Sequence, residues 1–286
     1  MKTAFQKYHK FLSEVKNLSE TTISSYERDI VQFQNFLDCN LKKATKNQLI
    51  NYLEQKRRKG CSNSTISRNM VSLRSFFSYL ENIGMIKKDP TKSLEMPHIE
   101  KHLPQILTES EITILLEGPH GDDAKALRDK AMLELLYATG IKVSELTSLN
   151  VSNINLRRGM LILNSRVVPL GKVAQKALNV YLKNGRTKLI KGTEETALFV
   201  NYNGKRMTRQ GFWKLIKHYK ESTGIEKEIT PHTLRHSFAA HLLKNGADID
   251  IIGEMMGLSD SASTAVYKKI IENRLFDEYK KAHPRA

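Results

Sequence analysis

Residues 230–236 read Thr-Pro-His-Thr-Leu-Arg-His, and this stretch predicts the start of a helix that can bind an anion. Thr230 is a good N-cap, and Pro231 suits the first helical turn. His232 and Arg235 are three positions apart, so they share one helix face near the N-terminus. Free amides, the helix dipole, an imidazole and a guanidinium would then converge on one phosphate. For an arbitrary pair of this kind, a capping histidine and an arginine in an internal salt bridge are the commoner arrangement.

The charge of the chain favours a polyanionic partner. Lys and Arg number 46 against 30 Asp and Glu, which gives a net charge of +16 and a pI near 9.7. The excess is present in both halves of the chain, so no single basic tail accounts for it. Positive charge over the whole length suits a protein that tracks or encircles nucleic acid, because each neutralised phosphate releases counterions. On charge alone, a basic enzyme unrelated to nucleic acid stays an alternative.

The length of 286 residues allows two domains, each with its own core. No apolar run approaches the roughly 20 residues of a membrane span. The first residues have no apolar stretch of signal-peptide length, so we expect a cytoplasmic protein without a membrane partner. Cys39 and Cys61 show no metal-ligand spacing and are expected to be free thiols.

The first hundred residues have the apolar periodicity of helices. One helix is predicted after an N-cap at Ser19, and another after Asn63 and Ser64, ending at Gly84. Between them Thr45 can cap a shorter helix that closes with a basic run.

That basic run has two interpretations. It is either a solvated helix end favoured by the helix dipole or a phosphate contact, because hydroxyl and amide side chains follow it directly. The predicted DNA-binding residues of this region are Lys56, Arg57, Arg58, Lys59, Ser62, Asn63, Arg68 and Arg74.

Prolines at positions 90, 97 and 104 break the helical pattern and predict a linker. The predicted organisation is a helical domain over 1–87, a linker over 88–106 and a second domain over 107–286. The second domain begins with a helix capped by Thr108, followed by a long helix that Gly140 stops. Its one clear β element is a hairpin over 160–170, with a two-residue turn at 164–165. The predicted fold class is therefore mainly α with a small β-hairpin.

Several blocks of the chain together resemble the tyrosine recombinases of the integrase family, specifically the Xer-type recombinases of bacteria. They are residues 139–146, 231–241, 256–259, Tyr267 and 280–286, and their spacings also match. The resemblance implies a SAM-like N-terminal core-binding domain and a mostly helical catalytic domain, which form a C-shaped clamp on double-stranded DNA. It further implies up to four protomers on two DNA sites, and attack by a tyrosine without a metal or nucleotide cofactor.

The resemblance implies roles for four residues that match the family. Tyr267 corresponds to the nucleophile, and His232 and Arg235 correspond to the histidine and second arginine that grip the scissile phosphate. Glu145 corresponds to the acidic residue beside the first arginine. The role of His236, next to Arg235, is left open. The apolar stripe in residues 270–286 is either a helix packed on its own domain or a tail that docks into a neighbouring protomer on DNA. We expect docking on DNA and a monomer in free solution.

Three features depart from the family pattern. Lys142 stands where the first arginine belongs, and lysine lacks the planar fork that holds two phosphate oxygens. Leu258 replaces a histidine or tryptophan that donates to the phosphate. The family's hairpin turn carries a lysine that protonates the leaving 5′-oxygen, whereas here residues 164–165 alone join the strands. Arg166 aligns with the strand beyond that turn, and Lys172 falls past the hairpin.

These departures predict impaired cleavage with intact DNA binding. Loss of one transition-state donor costs roughly 10² to 10³ in rate, and loss of a general acid about 10² to 10⁴, without simple additivity. We therefore expect a DNA-binding pseudo-recombinase that acts as an architectural or regulatory protein, alone or with an active relative. The alternative is a working recombinase with a rearranged site, in which Tyr267 is still the nucleophile.

Overall fold

The computed structural model describes residues 2–37, 40–97, 104–192, 194–258 and 267, with side chains from residue 5 onward. The chain divides into two compact units, Met1–Lys101 and His102–Ala286. The domain bounds 1–87, 88–106 and 107–286 stay a prediction, and residues 98–103 of the predicted linker lie outside the described residues. Within the described ranges, no helix is both long enough and apolar enough to cross a membrane.

The first unit is helical, as predicted. Its helices are α1 (Lys2–Lys10, continued by a wider turn over Phe11–Val15), α2 (Glu20–Phe36), α3 (Lys46–Arg58) and α4 (Asn63–Asn82), with a short 3₁₀ turn at Leu41–Lys43. Ser19 and Thr45 cap α2 and α3 as predicted. The predicted start of α4, after Asn63 and Ser64, was two residues too late, because Ser62 Oγ accepts from Thr65 N at 3.2 Å and is itself the N-cap.

Aromatic side chains form the core of the first unit. Tyr8, Phe33, Phe76 and Phe77 are all buried between α1, α2 and α4. The rings of Tyr8 and Phe76 meet edge to face, with centroids 5.1 Å apart. This packing joins the helices because each ring buries a large apolar area and pairs favourably with its neighbour.

The beginning of the predicted linker lies against the first unit. Asp89 N donates to Glu81 Oε1 at 3.2 Å, and Arg74 Nη2 donates to Leu94 O at 2.7 Å. The side chain of Leu94 also packs against the aromatic core. The prolines therefore end the helical pattern as predicted, but residues 89–94 are held by hydrogen bonds and apolar contacts of this unit.

The second unit is mostly helical with a small sheet. Its helices are α5 (Glu109–Glu117), α6 (Ala124–Thr139), α7 (Val143–Ser148), α8 (Lys172–Val180), α9 (Thr187–Ile190), α10 (Arg209–Thr223), α11 (Pro231–Lys244) and α12 (Ile249–Met256). Its strands are β1 (Ile154–Asn155), β2 (Met160–Ile162) and β3 (Val167–Pro169), antiparallel in the order β1-β2-β3.

The predicted hairpin is confirmed. Leu161 pairs with Val168, and Leu163 N donates to Arg166 O at 2.8 Å, which closes the turn at residues 164–165. Sequence analysis missed β1, because a two-residue strand is too short to show an alternating pattern.

Helix α6 lies at the centre of the second core and ends where the candidate site begins. Met132, Leu133, Leu135 and Leu136 are fully buried, so the helix is surrounded by apolar neighbours. Gly140 ends it with φ +58°, and a Cβ at this position would overlap the ring of Phe238 on α11. Glycine is required here by both backbone conformation and close approach, and it brings the start of α7 beside α11.

Candidate active site

A cleft of about 580 Å³ opens where α7, α10 and α11 begin. It is lined by Ile141, Lys142, Val143, Ser144, Thr208, Arg209, Gln210, Trp213, Pro231, His232 and Arg235. The first residues of α10 and α11 line this cleft, so the positive ends of two helix dipoles lie beside it. The cleft can therefore accept an anion of the size of a phosphodiester.

The first turn of α11 has the predicted geometry. Thr230 Oγ1 accepts from Thr233 N at 3.1 Å, and Pro231 occupies the first helical position. The side chain of His232 is exposed, whereas Arg235, one turn further, is buried. Both line the same cleft, so the prediction that they share one face is confirmed.

Arg235 joins the ends of two other helices. Its Nη1 donates to Gly140 O at the end of α6, and its Nη2 donates to Met256 O at the end of α12, at 2.8 Å. Burial lowers the pKa of Arg235 from its ordinary value, which nevertheless leaves the guanidinium charged at neutral pH. Two of its five N–H groups serve these carbonyls, and the side chain also lines the cleft.

Lys142 lies just before α7, and its exposed side chain lines the same cleft. Lys142 N donates to Glu145 Oε2 at 2.8 Å, so the carboxylate closes the first turn of α7. Lys142, His232 and Arg235 are thus brought together as the sequence predicted, although they lie on segments far apart in the chain.

Glu145 is held mainly by Arg166, a partner that sequence analysis did not assign to it. Arg166 Nη1 and Nη2 donate to the two carboxylate oxygens at 2.7 and 2.9 Å. Burial opposes ionisation of Glu145, but the hydrogen bonds from Arg166 and from Lys142 N outweigh it and lower the pKa of this carboxyl. The only sequence signal was the position of Arg166 directly after the short hairpin turn.

Arg166 also fixes the end of α12. Its Nε donates to Met255 O at 2.8 Å. Gly257 follows with φ +63°, and a Cβ there would overlap the Arg166 guanidinium. Arg166 and Arg235 therefore bind consecutive carbonyls of α12, which positions the segment that leads to Leu258.

Leu258 contributes no donor to the site. Its side chain is half-buried and packs against the apolar cluster of Phe238, Ile252, Met256 and Tyr267, which we call the α11–α12 cluster. Only its backbone is engaged, with N donating to Gly253 O at 2.9 Å.

Tyr267 is buried in the α11–α12 cluster, with 3% of its surface exposed. Its Oη lies 2.9 Å from His236 Nδ1, and the ring centroids are 5.7 Å apart. Burial raises the pKa of Tyr267, and the positive charge of Arg235 partly offsets this rise. Burial also lowers the pKa of His236, and His232 and Arg235 lower it further. The imidazole is therefore neutral at pH 7, and its Nδ1 can accept the phenolic proton in a hydrogen bond.

Lys172 is the first residue of α8, and its side chain is exposed. The hairpin turn at residues 164–165 has the short form that its sequence predicted. The predicted docking segment, residues 270–286, and the matching block at 280–286 lie outside the described residues.

Most of the predicted DNA-binding residues of the first unit are exposed. Six of them are exposed around the end of α3 and the first turns of α4: Arg57, Arg58, Lys59, Ser62, Asn63 and Arg68. Several also have partners within their own unit: Lys56 Nζ donates to Gln32 Oε1 at 2.6 Å, Arg68 Nη2 to Asp29 Oδ1 at 3.0 Å and Arg74 Nη2 to Leu94 O at 2.7 Å, Arg58 lies 3.9 Å from Glu54, and Ser62 caps α4.

Among the side chains that the structure describes, no group of three or more His, Cys, Asp or Glu could hold a metal ion. Cys61 is a free thiol, and Cys39 lies outside the described residues.

Comparison with known protein families assigns the class of the protein. Residues 105–274 match the phage integrase family, and residues 5–84 match the phage integrase N-terminal SAM-like domain. The chain therefore belongs to the phage integrase family, which confirms the predicted family and the predicted mainly α fold class.

Relatives place the chain among the Xer-type tyrosine recombinases. It is 42% identical to tyrosine recombinase XerD of Oceanobacillus iheyensis, with 99% of each chain covered. It is 40% identical to tyrosine recombinase XerD of Halalkalibacterium halodurans, over 98% of this chain and 97% of that one.

Solved structures share the fold. The crystal structure of XerA recombinase is 25% identical over 100% of this chain and 99% of that one, with a TM-score of 0.55. XerH site-specific recombinase, in a post-cleavage complex with palindromic difH substrate, is 19% identical over 96% of this chain and 83% of that one, with a TM-score of 0.74.

Proposed function

We propose that this protein binds a site in duplex DNA as a member of the Xer-type family, and that its own strand cleavage is impaired. The observation that carries the proposal is the division of its cationic groups. Lys142 and His232 face the cleft, whereas Arg166, the basic residue of the hairpin, is committed to Glu145 and to Met255 O. On this proposal the described lining of the cleft keeps groups that can bind a phosphate, whereas Arg166 is not free to donate a proton to the leaving oxygen.

Three observations support DNA binding. The net charge of +16 provides long-range attraction to a polyphosphate. The cleft adds Arg209, Gln210 and the half-exposed Trp213 beside Lys142 and His232, which combines charge, hydrogen bonding and an aromatic face. Fold neighbours include recombinases determined with DNA, such as the XerH complex.

The geometry also supports impaired cleavage. Lysine at position 142 presents a point charge rather than a fork, and the side chain of Leu258 packs in an apolar cluster without a donor. The turn is formed by Asn164 and Ser165 and carries no lysine, and Arg166 cannot replace one without breaking two hydrogen bonds to Glu145. Each lost donor costs about 10² to 10³ in rate, and a lost general acid about 10² to 10⁴.

On this proposal the protein acts on DNA as an architectural or regulatory component, alone or beside an active relative. Its N-terminal domain and the exposed basic end of α3 would contact the duplex. The C-terminal segment 270–286 would link protomers on DNA, in complexes of up to four, while the free protein would be a monomer.

A second candidate is an active recombinase with a rearranged site. The observation that favours it is the hydrogen bond between Tyr267 and His236, which gives the matching nucleophile a proton acceptor at 2.9 Å. The chain also matches relatives named tyrosine recombinases over nearly their whole length, which favours the same candidate.

One experiment separates the two candidates. Genomic fragments would first be selected by binding, and nicked duplexes made from them would be incubated with the protein, with Tyr267→Phe as the matched control. We expect a retarded complex for both proteins at low salt, and little covalent adduct for the unaltered protein on denaturing gels. Rapid adduct formation that Tyr267→Phe abolishes would establish the second candidate. Failure to retard any duplex at low salt would refute DNA binding.

A further inference from the structure

Tyr267 and His236 form a buried polar pair inside the α11–α12 cluster. The phenol Oη lies 2.9 Å from the imidazole Nδ1, and Tyr267 is 3% exposed. A phenol in such surroundings is a weak nucleophile, since burial disfavours the phenolate and raises its pKa. Attack by this hydroxyl therefore needs a group that takes the proton as the new bond forms.

His236 is the side chain that contacts the hydroxyl. It follows Arg235 and lies one helical turn beyond His232 on α11. The rings of His232 and His236 have centroids 6.5 Å apart, so they occupy different places. His232 is exposed on the phosphate cleft, whereas His236 is half-buried against Tyr267. The two histidines can thus serve different partners, one the phosphate and the other the tyrosine.

The surroundings of His236 keep it in the form that can accept a proton. The ionisable groups that act on its ring are His232 and Arg235 on α11, and it contacts the hydroxyl of Tyr267. Burial and these two neighbours lower the pKa of His236, so the ring is neutral at pH 7. In the tautomer with its proton on Nε2, Nδ1 accepts the hydrogen bond from Tyr267 Oη at 2.9 Å and is placed to act as a general base.

We propose that His236 is a catalytic residue of the residual cleavage reaction and accepts the phenolic proton of Tyr267. In this step the Oη–H bond breaks, the proton passes to Nδ1, and a bond forms between Oη and phosphorus. The bond from phosphorus to the 5′-oxygen breaks, and the departing oxygen takes a proton from solvent water. The inference rests on the proposed function, which makes Tyr267 the nucleophile of whatever cleavage remains.

The alternative is that His236 only holds Tyr267 in place. His236→Asn separates the two roles, because the asparagine oxygen can accept a hydrogen bond near the position of Nδ1 but is far too weak a base to take the proton. A control exists on the same helix: His241 Nδ1 lies 2.8 Å from Tyr137 Oη, in a pair that does not include the proposed nucleophile. His241→Asn therefore makes the same change at a second histidine–tyrosine contact, where it also removes the contact of His241 Nε2 with Leu107 O at 2.9 Å.

The test uses duplexes selected by binding. They are made as a series in which sulfur replaces the bridging 5′-oxygen of one phosphodiester, at a different central position in each duplex. A thiolate leaves without a general acid, because a thiol has a pKa of about 8.5. Cleavage of such a duplex depends on activation of the tyrosine and not on the missing hairpin lysine. The rate of covalent adduct formation is measured from pH 5 to 9, and DNA affinity is measured on the same samples.

We expect the rate with the unaltered protein to rise with pH as His236 loses its proton, and then to level off. His236→Asn should lower the plateau rate by about 10²-fold and remove that inflection, whereas His241→Asn should keep both. A His236→Asn variant with the rate and profile of the unaltered protein would overturn the proposal. Absence of any adduct from the unaltered protein would overturn it as well. Retained DNA affinity in that case would leave the proposed function standing.

A second measurement does not depend on cleavage. The imidazole nitrogens of His236 are titrated by NMR in the unaltered protein and in Tyr267→Phe. Removing the phenol takes away a donor that favours the neutral ring, so the pKa of His236 should rise in the variant. If the pKa of His236 is the same in both proteins, Tyr267 Oη does not donate a hydrogen bond to this imidazole, and the proposal fails.

Discussion

Arg166 and Glu145 form a two-bond ion pair that links β3 to α7, with Nη1–Oε1 and Nη2–Oε2 distances of 2.7 and 2.9 Å. The same guanidinium binds Met255 O at the end of α12. The residue that follows the hairpin turn therefore supplies a cation that holds α7 and the end of α12 together. The consequence is that the Arg166 guanidinium is committed to contacts within the second unit.

Loss of this ion pair is expected to destabilise the second unit. Arg166→Gln leaves a largely buried Glu145 carboxylate without its main partner, which should lower the free energy of unfolding by about 3 kcal/mol. Urea denaturation measures the change. The matched control is Lys217→Gln, which breaks an exposed pair with Glu221 at 3.8 Å and should cost less than about 0.5 kcal/mol. Equal effects for the two variants would contradict the structural role.

The stabilisation by this pair should depend on pH. The pKa of Glu145 is lower in the folded protein than its ordinary value of 4.5. Its contribution is therefore complete above that ordinary value and is lost as pH falls through the folded value. The difference in unfolding free energy between the unaltered protein and Arg166→Gln should thus shrink below about pH 4.5. Denaturation at pH 3 to 7 measures it, and a constant difference over this range would be inconsistent with the pair.

DNA affinity should fall steeply with salt and should survive Tyr267→Phe, because phosphate contacts dominate it. Lys142→Gln and Arg209→Gln should each remove one phosphate contact. Each is therefore expected to reduce the slope of log affinity against log salt concentration by about 1. The single tryptophan, Trp213, lines the cleft and reports occupancy by its fluorescence. Unchanged slopes in both variants would show that the cleft does not hold a phosphate.

Restoring the family residues should recover binding contacts before it recovers cleavage. Lys142→Arg together with Leu258→His should tighten phosphate engagement without full strand transfer, because the lysine-bearing turn is still absent. Grafting that turn in addition is expected to raise adduct formation on nicked duplexes by at least about 10²-fold. If the unaltered protein forms adduct as fast as the variant with the grafted turn, its cleavage is not impaired.

Deletion of residues 270–286 is expected to abolish higher-order complexes on DNA while single-site binding stays nearly intact. Ile271, Leu275, Phe276 and Tyr279 recur at helical spacing in this segment and suit a contact that links protomers head to tail. Native mass measurement of the DNA complexes gives the stoichiometry. The same stoichiometry before and after deletion would assign the stripe to packing within one protomer.

The amino-acid sequence by itself determined the elements whose causes are local. The caps at Thr108 and Thr230, the stop at Gly140 and the turn at residues 164–165 were all predictable, because each depends on a residue and its neighbours within one or two turns. Where the local signal was ambiguous or short, prediction was less accurate: α4 begins at Asn63 with Ser62 as its cap, and β1 was missed.

Only the tertiary structure decided the partners of the site residues. The sequence named Arg235, Glu145 and Tyr267, but it could not show their partners. Arg235 binds the backbone oxygens of Gly140 and Met256. Glu145 binds Arg166, and Tyr267 contacts His236. These contacts join residues between 21 and 95 positions apart. Capping and periodicity are encoded over a few residues, whereas the choice of partner for a buried charge or hydroxyl depends on which distant segments the core packs together.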